Sequence, residues 1–240
     1  MRDTLTRGLP QLGVDLGHIP NLEQFSAFLL ERNQVMNLTA ITDPKDVAAL
    51  HLLDSLCLLP LADLDGKSVV DVGTGAGFPG MPLAITLPQT NITLLDSLNK
   101  RVDFLREAGN QLGLHNTEYV HGRAEEFAAD HRESYDYAVS RAVAALPVLC
   151  ELCLPLVKVG GQFLAMKSSH TEEEIRQAKP AIAALGGKIT EIKDYTIPTT
   201  DVIHRVVCIQ KVSPTPKKYP RRFAQIKKQP LGLPSTENAK

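Results

Sequence analysis

The chain has 240 residues, of which 43% are hydrophobic and 22% are charged, a balance typical of globular proteins that excludes disorder throughout. Its apolar runs fall well short of the ~20 residues of a membrane-spanning helix, and its N-terminus lacks the apolar stretch of a signal peptide. Four cysteines do not make a disulfide framework in a chain of this length. We therefore expect a cytoplasmic, monomeric protein without a membrane segment, built from one large domain and an appendage.

The net charge of −1 hides an uneven distribution of charge along the chain. Residues 1–201 carry 17 Lys+Arg against 26 Asp+Glu, whereas residues 202–236 carry eight basic residues and no acidic one. A segment this basic favours a polyanionic partner, most commonly nucleic acid, over a merely solubilising tail. Tyr219 and Phe223 interleave with the basic residues and strengthen this interpretation, because aromatic rings can stack on bases.

The first 62 residues are predicted to form an α-helical cap. Asn21 can cap a helix that runs to about Asn33, with apolar residues at near-helical spacing. Pro44 fits the first turn of a second helix, because a residue in that turn has no intrahelical partner for its N–H. Pro60 follows the end of this second helix.

From Lys67 the pattern changes to β-rich runs that alternate with helical stretches. The predicted strands are 68–72, 92–95, 117–120, 135–140, 162–166, 188–195 and 202–209, and the predicted helices are 81–87, 98–112, 146–157 and 172–185. This alternation predicts an α/β fold with a doubly wound, mostly parallel sheet in residues 63–212. The last two strands have no helix between them, so they should form an antiparallel hairpin at the end of the sheet.

The strongest local signal is VVDVGTGAGFPG, from Val69 to Gly80, in which a buried strand runs into a glycine-rich turn that opens a helix. Glycines let the backbone approach a ligand closely and adopt turn conformations that side chains forbid. At the strand ends of a doubly wound sheet, such a turn is the expected ligand site, and a turn without a ligand is the weaker alternative. Gly73 and Gly75 are therefore candidate cofactor contacts.

Two carboxylates near this loop, those of Asp71 and Asp96, help to indicate which ligand it binds. The run from Gly75 to Gly80 fits the G-x-G-x-x-G pattern of dinucleotide-binding proteins, a weak signal when it stands alone. Asp96, which ends the next strand, can bind the ribose hydroxyls of either a nicotinamide or an adenosyl cofactor. Asp71, two residues before Gly73, would repel a pyrophosphate but suits S-adenosylmethionine, which is cationic and carries no phosphate. The residues therefore favour S-adenosylmethionine.

Six segments form a wider pattern along the chain: Asn37–Ile41 (NLTAI), His51–Ser55 (HLLDS), Asp71–Gly80 (DVGTGAGFPG), Gly122–Glu125 (GRAE), Ser140–Ala142 (SRA) and Lys217–Arg222 (KKYPRR). In this order they resemble the RsmG family, also called GidB, of small-subunit ribosomal RNA guanine-N7 methyltransferases. The resemblance covers roughly residues 20–232. It implies a class I, Rossmann-like methyltransferase fold with S-adenosylmethionine as cofactor.

For the cofactor, the resemblance implies contacts with Gly73, Phe78, Ala124, Glu125 and Arg141. Ala124 is small enough to lie under an adenine ring, and Phe78 can pack on the apolar parts of the cofactor. Arg141 is less expected beside a cationic sulfonium, where it would meet a carboxylate or an RNA phosphate. It is also the candidate catalytic residue.

The resemblance further implies a substrate, the 16S ribosomal RNA of the small subunit, which agrees with the charge distribution. The candidate RNA contacts are all basic: Lys167, Arg205, Lys217, Lys218, Arg221 and Arg222. The last four belong to residues 213–240, whose five prolines predict an extended, non-helical arm that lies outside the cofactor pocket. After Arg222 the chain departs from the small, glycine-containing segment expected in the family, so the contacts of residues 223–228 stay open.

Other kinds of chemistry receive little support. Cys150 and Cys153 are spaced like a redox or metal-binding pair, but they lie in an apolar helical stretch with no second pair or histidine cluster. We interpret them as core cysteines and predict no metal site. His51 and Asp54 share one helix face, where they can form an acid–base pair or, as we favour, orient the cap against the sheet.

The sequence thus predicts an S-adenosylmethionine-dependent methyltransferase that acts on N7 of a guanosine in 16S ribosomal RNA. N7 carries a free lone pair, so its methylation needs no general base, which agrees with the lack of an evident catalytic dyad. Two alternatives stay open: a non-catalytic RNA- or ribosome-binding protein with a relic nucleotide fold, and a nicotinamide-dependent oxidoreductase.

Overall fold

Seven strands form a single sheet in the computed structural model, which describes residues 1–233. The strands are β1 Ser68–Val72, β2 Asn91–Asp96, β3 Thr117–His121, β4 Tyr135–Arg141, β5 Val157–Ser168, β6 Gly187–Thr196 and β7 Ile203–Lys211. Their order is β3-β2-β1-β4-β5-β7-β6. The first five strands pair in parallel, and β7 runs antiparallel between β5 and β6. The predicted doubly wound, mostly parallel sheet with an antiparallel end is therefore confirmed.

The strand order reverses between β1 and β4, in the middle of the sheet. Val70 of β1 pairs with Thr93 of β2 on one side and with Ala138 of β4 on the other. The loops that leave β1 and β4 therefore turn to opposite faces, which opens a crevice at the carboxyl ends of these strands. Open α/β sheets bind their ligands at this kind of switch point.

Ten α-helices surround the sheet in the described part of the chain. They are α1 Arg2–Gly8, α2 Ile19–Met36, α3 Pro44–Asp46, α4 Asp54–Leu56, α5 Gly80–Thr86, α6 Asn99–Leu112, α7 Ala124–Asp130, α8 Leu146–Cys153, α9 Glu172–Ala184 and α10 Phe223–Lys228. The four helices predicted between the strands are present, with bounds shifted by a few residues. The sequence analysis missed α1 and α7, which are too short to show a clear apolar period.

The cap departs from its predicted form at two places. Helix α2 begins at Ile19 and not at Asn21, because a 3-10 turn capped by Asp15 runs directly into it. The second helix does begin at Pro44, where the Asp43 carboxylate accepts hydrogen bonds from the N–H groups of Lys45 and Asp46. Between α3 and α4 this second helix widens into a π-helical segment, Val47–Leu53; such segments are rare, and those that occur are frequently found at functional sites.

Each face of the sheet is covered by its own hydrophobic cluster. One cluster joins Leu105 of α6 to buried residues of the cap such as Phe25. The other joins Leu149 of α8 to Ile226 of α10. The cap therefore packs on one face of the sheet, and the C-terminal segment, residues 213–233, packs on the other. The domain boundaries at residues 62 and 212 stay predictions. No helix within residues 1–233 is long and apolar enough to cross a membrane.

The prediction of an extended, non-helical arm after residue 212 is wrong at residues 223–228, which form helix α10, while residues 213–222 contain no helix. The backbone before α10 is held by Arg132, whose guanidinium donates hydrogen bonds to the carbonyls of Thr215, Pro216 and Tyr219. Proline disfavours the interior of a helix around its own position, and residues 221–229 contain none, so a short helix can form there. The rest of the predicted arm, residues 234–240, lies outside the described residues.

An ion pair anchors this segment to the core. Arg221 donates from Nη2 to Glu151 Oε2 at 2.7 Å and from Nε to Oε1 at 2.9 Å, and its backbone N–H also donates to Oε1. The Glu151 side chain is fully buried, whereas that of Arg221 is 22% exposed. A buried carboxylate needs such partners, because burying it without them is costly.

We therefore expect Arg221→Ala to lower the free energy of unfolding by about 3–5 kcal/mol, because it leaves the Glu151 carboxylate buried without its partner. Urea denaturation measures the change. Replacing both members, Arg221→Met with Glu151→Leu, should cost less, since no charge is then left in the core. Arg222→Ala is the matched control, and a loss for it as large as for Arg221→Ala would show that the ion pair does not anchor the segment.

Candidate active site

The glycine loop follows β1 and leads into α5. Gly73, Gly75 and Gly77 have φ values of 72°, 61° and 96°, in the left-handed region that disfavours side chains. The N–H groups of Gly73 and Thr74 both donate to the carbonyl of Leu95, which ties the loop to β2. A Cβ on Gly77 would lie 2.6 Å from the Met81 side chain, so this position also requires glycine for lack of space.

Asp71 holds the loop from behind and lines none of the cavities described below. Its side chain is fully buried, and Oδ2 accepts hydrogen bonds from Thr74 Oγ1 at 2.7 Å and from the Gly80 N–H at 2.8 Å. Its Oδ1 has no hydrogen-bond partner among residues 1–233. Burial raises the pKa of Asp71 to about 6. Asp71 therefore supports the loop from behind and does not line the cleft, although the sequence predicts that it contacts the cofactor.

Two cavities meet at the glycine loop. The first, of about 360 Å³, is lined by Gly75 and Phe78 of the glycine loop and by His51 and Arg141, among others. The second, of about 130 Å³, is lined by Ala124, Glu125 and Phe223, among others. The residues that line both are Gly73, Asp96, Ser97 and Val143. Seven of the eight predicted cofactor residues therefore line one continuous cleft, the exception being Asp71.

Asp96 lies where the two cavities join. Its Oδ2 accepts a hydrogen bond from the Gly75 N–H, and its Oδ1 accepts one from the Leu98 N–H, both at 2.9 Å. Arg101 Nη1 also lies 3.5 Å from Oδ2, whereas among residues 1–233 Oδ1 accepts from Leu98 alone and can accept another hydrogen bond from a ligand. Asp96 therefore fixes the loop and can also bind hydroxyl groups in the cleft.

Phe78 forms part of the floor of the first cavity. Its ring stacks on His51 with 4.5 Å between the ring centroids, and it meets Phe25 of α2 edge-on at 5.7 Å. The guanidinium carbon of Arg141 lies 5.1 Å from the ring centroid, a distance suited to a cation–π contact. This ring therefore joins the glycine loop to the cap.

Beneath Arg141 lies a cluster of polar side chains centred on the fully buried Asp54. The Asp54 carboxylate accepts hydrogen bonds from Arg141 Nη1 at 2.6 Å, Tyr195 Oη at 2.8 Å and His204 Nδ1 at 2.9 Å. Burial alone would raise the pKa of Asp54, but the hydrogen bond from His204 and the charge of Arg141 together bring it below its ordinary value. Asp54 thus joins the cap to β4, β6 and β7, as the sequence interpretation proposed.

His51 also touches Arg141, and its protonation state follows from this contact. Arg141 Nη2 lies 3.1 Å from His51 Nδ1, and a guanidinium can only donate, so Nδ1 accepts. With Nδ1 accepting, the proton of the neutral ring is assigned to Nε2, which lies 2.8 Å from Thr39 Oγ1. The Leu50 carbonyl, 3.2 Å from Nδ1, accepts from Arg141 Nη1 instead. Burial and the charge of Arg141 lower the pKa of His51 to about 4. At neutral pH His51 is therefore uncharged.

A third cavity, of about 440 Å³, lies on the other side of Arg141, at the carboxyl ends of β4 and β5. It shares His51, Arg141 and Ala142 with the first cavity. Lys167 and Glu174 also line it, and Lys167 Nζ lies 2.6 Å from Glu174 Oε1. Arg141 therefore stands at the boundary between two cavities, with its guanidinium fixed by the cap.

Three of the six predicted RNA contacts are occupied by acidic partners. Lys167 pairs with Glu174, Arg205 pairs with Asp194 and Glu172, and Arg221 pairs with Glu151. The other three, Lys217, Lys218 and Arg222, are exposed in the C-terminal segment. Of these six residues, three are therefore held in ion pairs and three are exposed.

The two cysteines of the Cys-x-x-Cys segment behave as the sequence interpretation proposed. Cys150 and Cys153 are fully buried in α8, and burial raises the pKa of both thiols well above the ordinary value. Neither thiol is therefore poised for redox chemistry. Within residues 1–233, no group of three or more His, Cys, Asp or Glu side chains is placed to hold a metal ion.

The sequence analysis missed some residues of the cleft. Val143 follows Ala142, which has a φ of 56°, and a Cβ on Gly73 would lie 2.6 Å from its side chain. Phe223 reaches the cleft only because the C-terminal segment folds back. Both residues directly follow a segment of the family pattern, and Ser97 follows Asp96, but nothing in these positions indicates that the side chains reach the cleft.

Solved structures show the class of fold to which this sheet and cleft belong. A SAM dependent methyltransferase from Aquifex aeolicus matches with a TM-score of 0.51 and 18% identity, over 70% of this chain and 93% of that chain. TYW2 from M. jannaschii, solved in complex with AdoMet, matches with a TM-score of 0.51 and 16% identity, over 63% of this chain and 71% of that chain. The fold is therefore that of S-adenosylmethionine-dependent methyltransferases.

Sequence comparison gives the family within this class. The model of the GidB family, rRNA small subunit methyltransferase G, matches residues 18–203. A ribosomal RNA small subunit methyltransferase G from Alkaliphilus metalliredigens is 48% identical over 232 residues, which cover 95% of this chain and 97% of that protein. The chain belongs to the rRNA small subunit methyltransferase G family.

The Asp54 cluster leads to a stability prediction. Asp54→Ala should lower the free energy of unfolding by about 3–5 kcal/mol at neutral pH, because it leaves Arg141 without its carboxylate. Urea denaturation measures this loss, with the exposed Asp46→Ala on the same helix as control. Since the pKa of Asp54 lies below its ordinary value, its contribution should hold above that value and disappear as the pH falls through the folded-state pKa. Equal urea midpoints for Asp54→Ala and the control would contradict this account.

The raised pKa of Asp71 gives a prediction of opposite sign. Between the ordinary carboxyl pKa of 3.8 and the folded-state pKa of about 6, the folded chain binds more protons, so ionised Asp71 makes wild type less stable as the pH rises. Asp71→Asn should therefore gain stability relative to wild type, by roughly 3 kcal/mol between pH 4 and 7. Urea denaturation across this range measures the difference. A difference that does not change with pH would mean that Asp71 is not a buried charge.

Proposed function

We propose that the protein transfers a methyl group from S-adenosylmethionine to N7 of a guanosine in the 16S ribosomal RNA of the small subunit. The observation that carries this proposal is the cleft at the carboxyl ends of β1 and β2, with a third cavity next to it across Arg141. A methyl transfer needs two adjoining binding places, one for the donor and one for the acceptor. The family membership supplies the substrate class.

The chemistry of the cleft fits S-adenosylmethionine. Ala124 and Glu125 offer a small residue and a polar one at the narrow end, which suits an adenine. Asp96, at the junction, can accept hydrogen bonds from the two ribose hydroxyls. The wider end at Gly73 and Gly75 takes the amino-acid part, and the unpartnered Oδ1 of Asp71 behind the loop makes this region favourable for a cation.

The third cavity is the proposed place of the target base. It lies at the ends of β4 and β5 and shares Arg141 with the donor cleft, so a base held there is next to the site of transfer. N7 of guanine faces the major groove, which in A-form RNA is too deep and narrow for side chains to enter. The target guanosine must therefore lie in a loop or be turned out of its helix.

The residues of the chain act by positioning rather than by proton transfer. When bound, S-adenosylmethionine supplies the methyl group as an electrophile, activated by the positive sulfur. Because the N7 lone pair is free, no side chain has to remove a proton from the base. Arg141, fixed by Asp54 and the Leu50 carbonyl, holds one geometry at the boundary of the two cavities. His51, being neutral, adds no second positive charge there.

The small ribosomal subunit is the proposed partner, and a monomer in the cytoplasm is the proposed form of the protein. The chain carries exposed cations in the C-terminal segment, among them Lys217 and Arg222, which suit contact with RNA phosphates. The relatives named ribosomal RNA small subunit methyltransferase G support the same partner.

The test is a methyl-transfer assay with purified protein, labelled S-adenosylmethionine and small subunits from cells that lack the gene. We expect label in 16S ribosomal RNA, at a guanosine that mass mapping of the modified RNA identifies as 7-methylguanosine. Small subunits from cells with the gene are the matched control and should accept little label. Label at another atom would disprove the N7 assignment, and no label in any small-subunit RNA would disprove the proposed substrate.

Arg141 provides a prediction about turnover. Arg141→Lys keeps the charge but cannot bind Asp54, His51 and the Leu50 carbonyl at once, so it should lose the fixed geometry. We expect kcat to fall on the order of 100-fold, because a displacement of about 1 Å of a positioning group can lower an enzyme's rate by that factor. The circular dichroism spectrum should stay like that of wild type. Turnover like that of wild type would remove Arg141 from the site.

The exposed cations provide a prediction about salt. Each side chain that neutralises a phosphate releases counterions, so Lys217→Ala with Arg222→Ala should flatten the slope of log affinity against log salt by about 0.7 for each lost contact with single-stranded RNA. Filter binding of small-subunit RNA at several salt concentrations measures the slope. Lys45→Ala, an exposed lysine of the cap, is the control. A slope unchanged by the double substitution would mean that these residues do not bind RNA.

A further inference from the structure

The aromatic ring of Phe223 lines the narrow end of the donor cleft. This cavity of about 130 Å³ is formed by the ends of β1 and β2, by Ala124 and Glu125 at the start of α7, and by Phe223 at the start of α10. All its other lining residues precede residue 153. The C-terminal segment therefore contributes one side chain to a site that is otherwise built from the first two thirds of the chain.

Building on the function proposed above, we propose that Phe223 is a cofactor-binding residue that packs on the adenine ring of S-adenosylmethionine. The cavity has a small side chain, Ala124, and a flat aromatic one, Phe223, and a planar ring fits between a small and a flat surface. Adenine offers such a ring, and stacking of a base on an aromatic side chain is favourable for any base. The sequence expectation that the arm lies outside the cofactor pocket is replaced by this assignment.

The position of Phe223 is fixed on both sides along the chain. Two residues earlier, Arg221 binds the buried Glu151, and three residues later, Ile226 is fully buried in the cluster of α8. The guanidinium of Arg123, which also lines the cavity, lies 5.6 Å from the centroid of the Phe223 ring. A ring held in this way is preorganised, so it binds a ligand without a large loss of conformational entropy.

The same segment carries the exposed Arg222 and Lys227, which line a larger cavity of about 620 Å³ next to the cleft. Phe223 lines this cavity as well as the narrow end of the cleft. Cations suited to RNA and a ring suited to adenine thus lie within residues 222–227. The C-terminal segment therefore connects the cofactor cleft with a second cavity, which Glu125 and Glu126 line as well as these cations.

The test is calorimetric titration of the full chain with two ligands that share the adenosine part, S-adenosylhomocysteine and 5′-methylthioadenosine. Phe223→Ala should weaken both by roughly 10-fold, and by a similar factor, because the lost contact is with the adenine. Phe223→Tyr, which keeps the ring, should retain most of the affinity. Gln225→Ala, an exposed position on the same helix, should bind both ligands like wild type.

Phe223→Leu tests the ring separately from its bulk and covers the case in which the alanine variant does not fold. It keeps an apolar side chain against the α8 cluster, so it should fold like wild type in a thermal melt yet bind both ligands more weakly than Phe223→Tyr. Leucine binding as tightly as wild type would overturn the stacking role.

The outcomes also separate this assignment from the proposed function. If wild type and Phe223→Ala bind S-adenosylhomocysteine equally well, the role of Phe223 is overturned and the methyltransferase proposal stays in place. A loss of affinity for small-subunit RNA alone does the same and makes Phe223 an RNA contact. Wild type that binds neither adenosine ligand overturns both proposals.

Discussion

The ion pair between Asp54 and Arg141 is the interaction on which the site depends. A carboxylate buried without partners would cost several kcal/mol, so the chain surrounds Asp54 with donors from three strands. In return, the guanidinium of Arg141 is fixed at the boundary of two cavities. Asp54 belongs to the helical cap and Arg141 to the sheet, so the ion pair that docks the cap also fixes the geometry of the site.

Two carboxylates hold the glycine loop by accepting hydrogen bonds from opposite sides of it. Asp71 accepts hydrogen bonds from behind the loop, and Asp96 accepts one from the Gly75 N–H at its front. Only Asp96 remains accessible to a ligand in the cleft. Asp71 therefore stabilises only the backbone of the loop, whereas Asp96 stabilises it and can also bind a ligand.

Much of this architecture was predictable because it depends on local patterns. The strand β1 and the loop that follows it are marked by an apolar run and four glycines, and the hairpin of β6 and β7 by the lack of an intervening helix. Phe223 could not be assigned, because its place depends on an ion pair between Arg221 and Glu151 that are 70 residues apart. Prolines suggested an extended arm, but the buried carboxylate of Glu151 and the apolar side chain of Ile226 determine where this segment packs.

The π-helical segment Val47–Leu53 has a consequence for how the chain can change in length at this point. It contains His51 and the Leu50 carbonyl that Arg141 binds, and Asp54 follows it directly. A π-helix accommodates more residues in a turn than an α-helix does, so losing one residue here would let the segment relax into an ordinary helix. Asp54, which follows the segment, would keep nearly the same orientation, because a π-helical turn takes up about one residue more than an α-helical turn. The change would instead fall on His51 and the Leu50 carbonyl within the segment, which are the groups that Arg141 contacts.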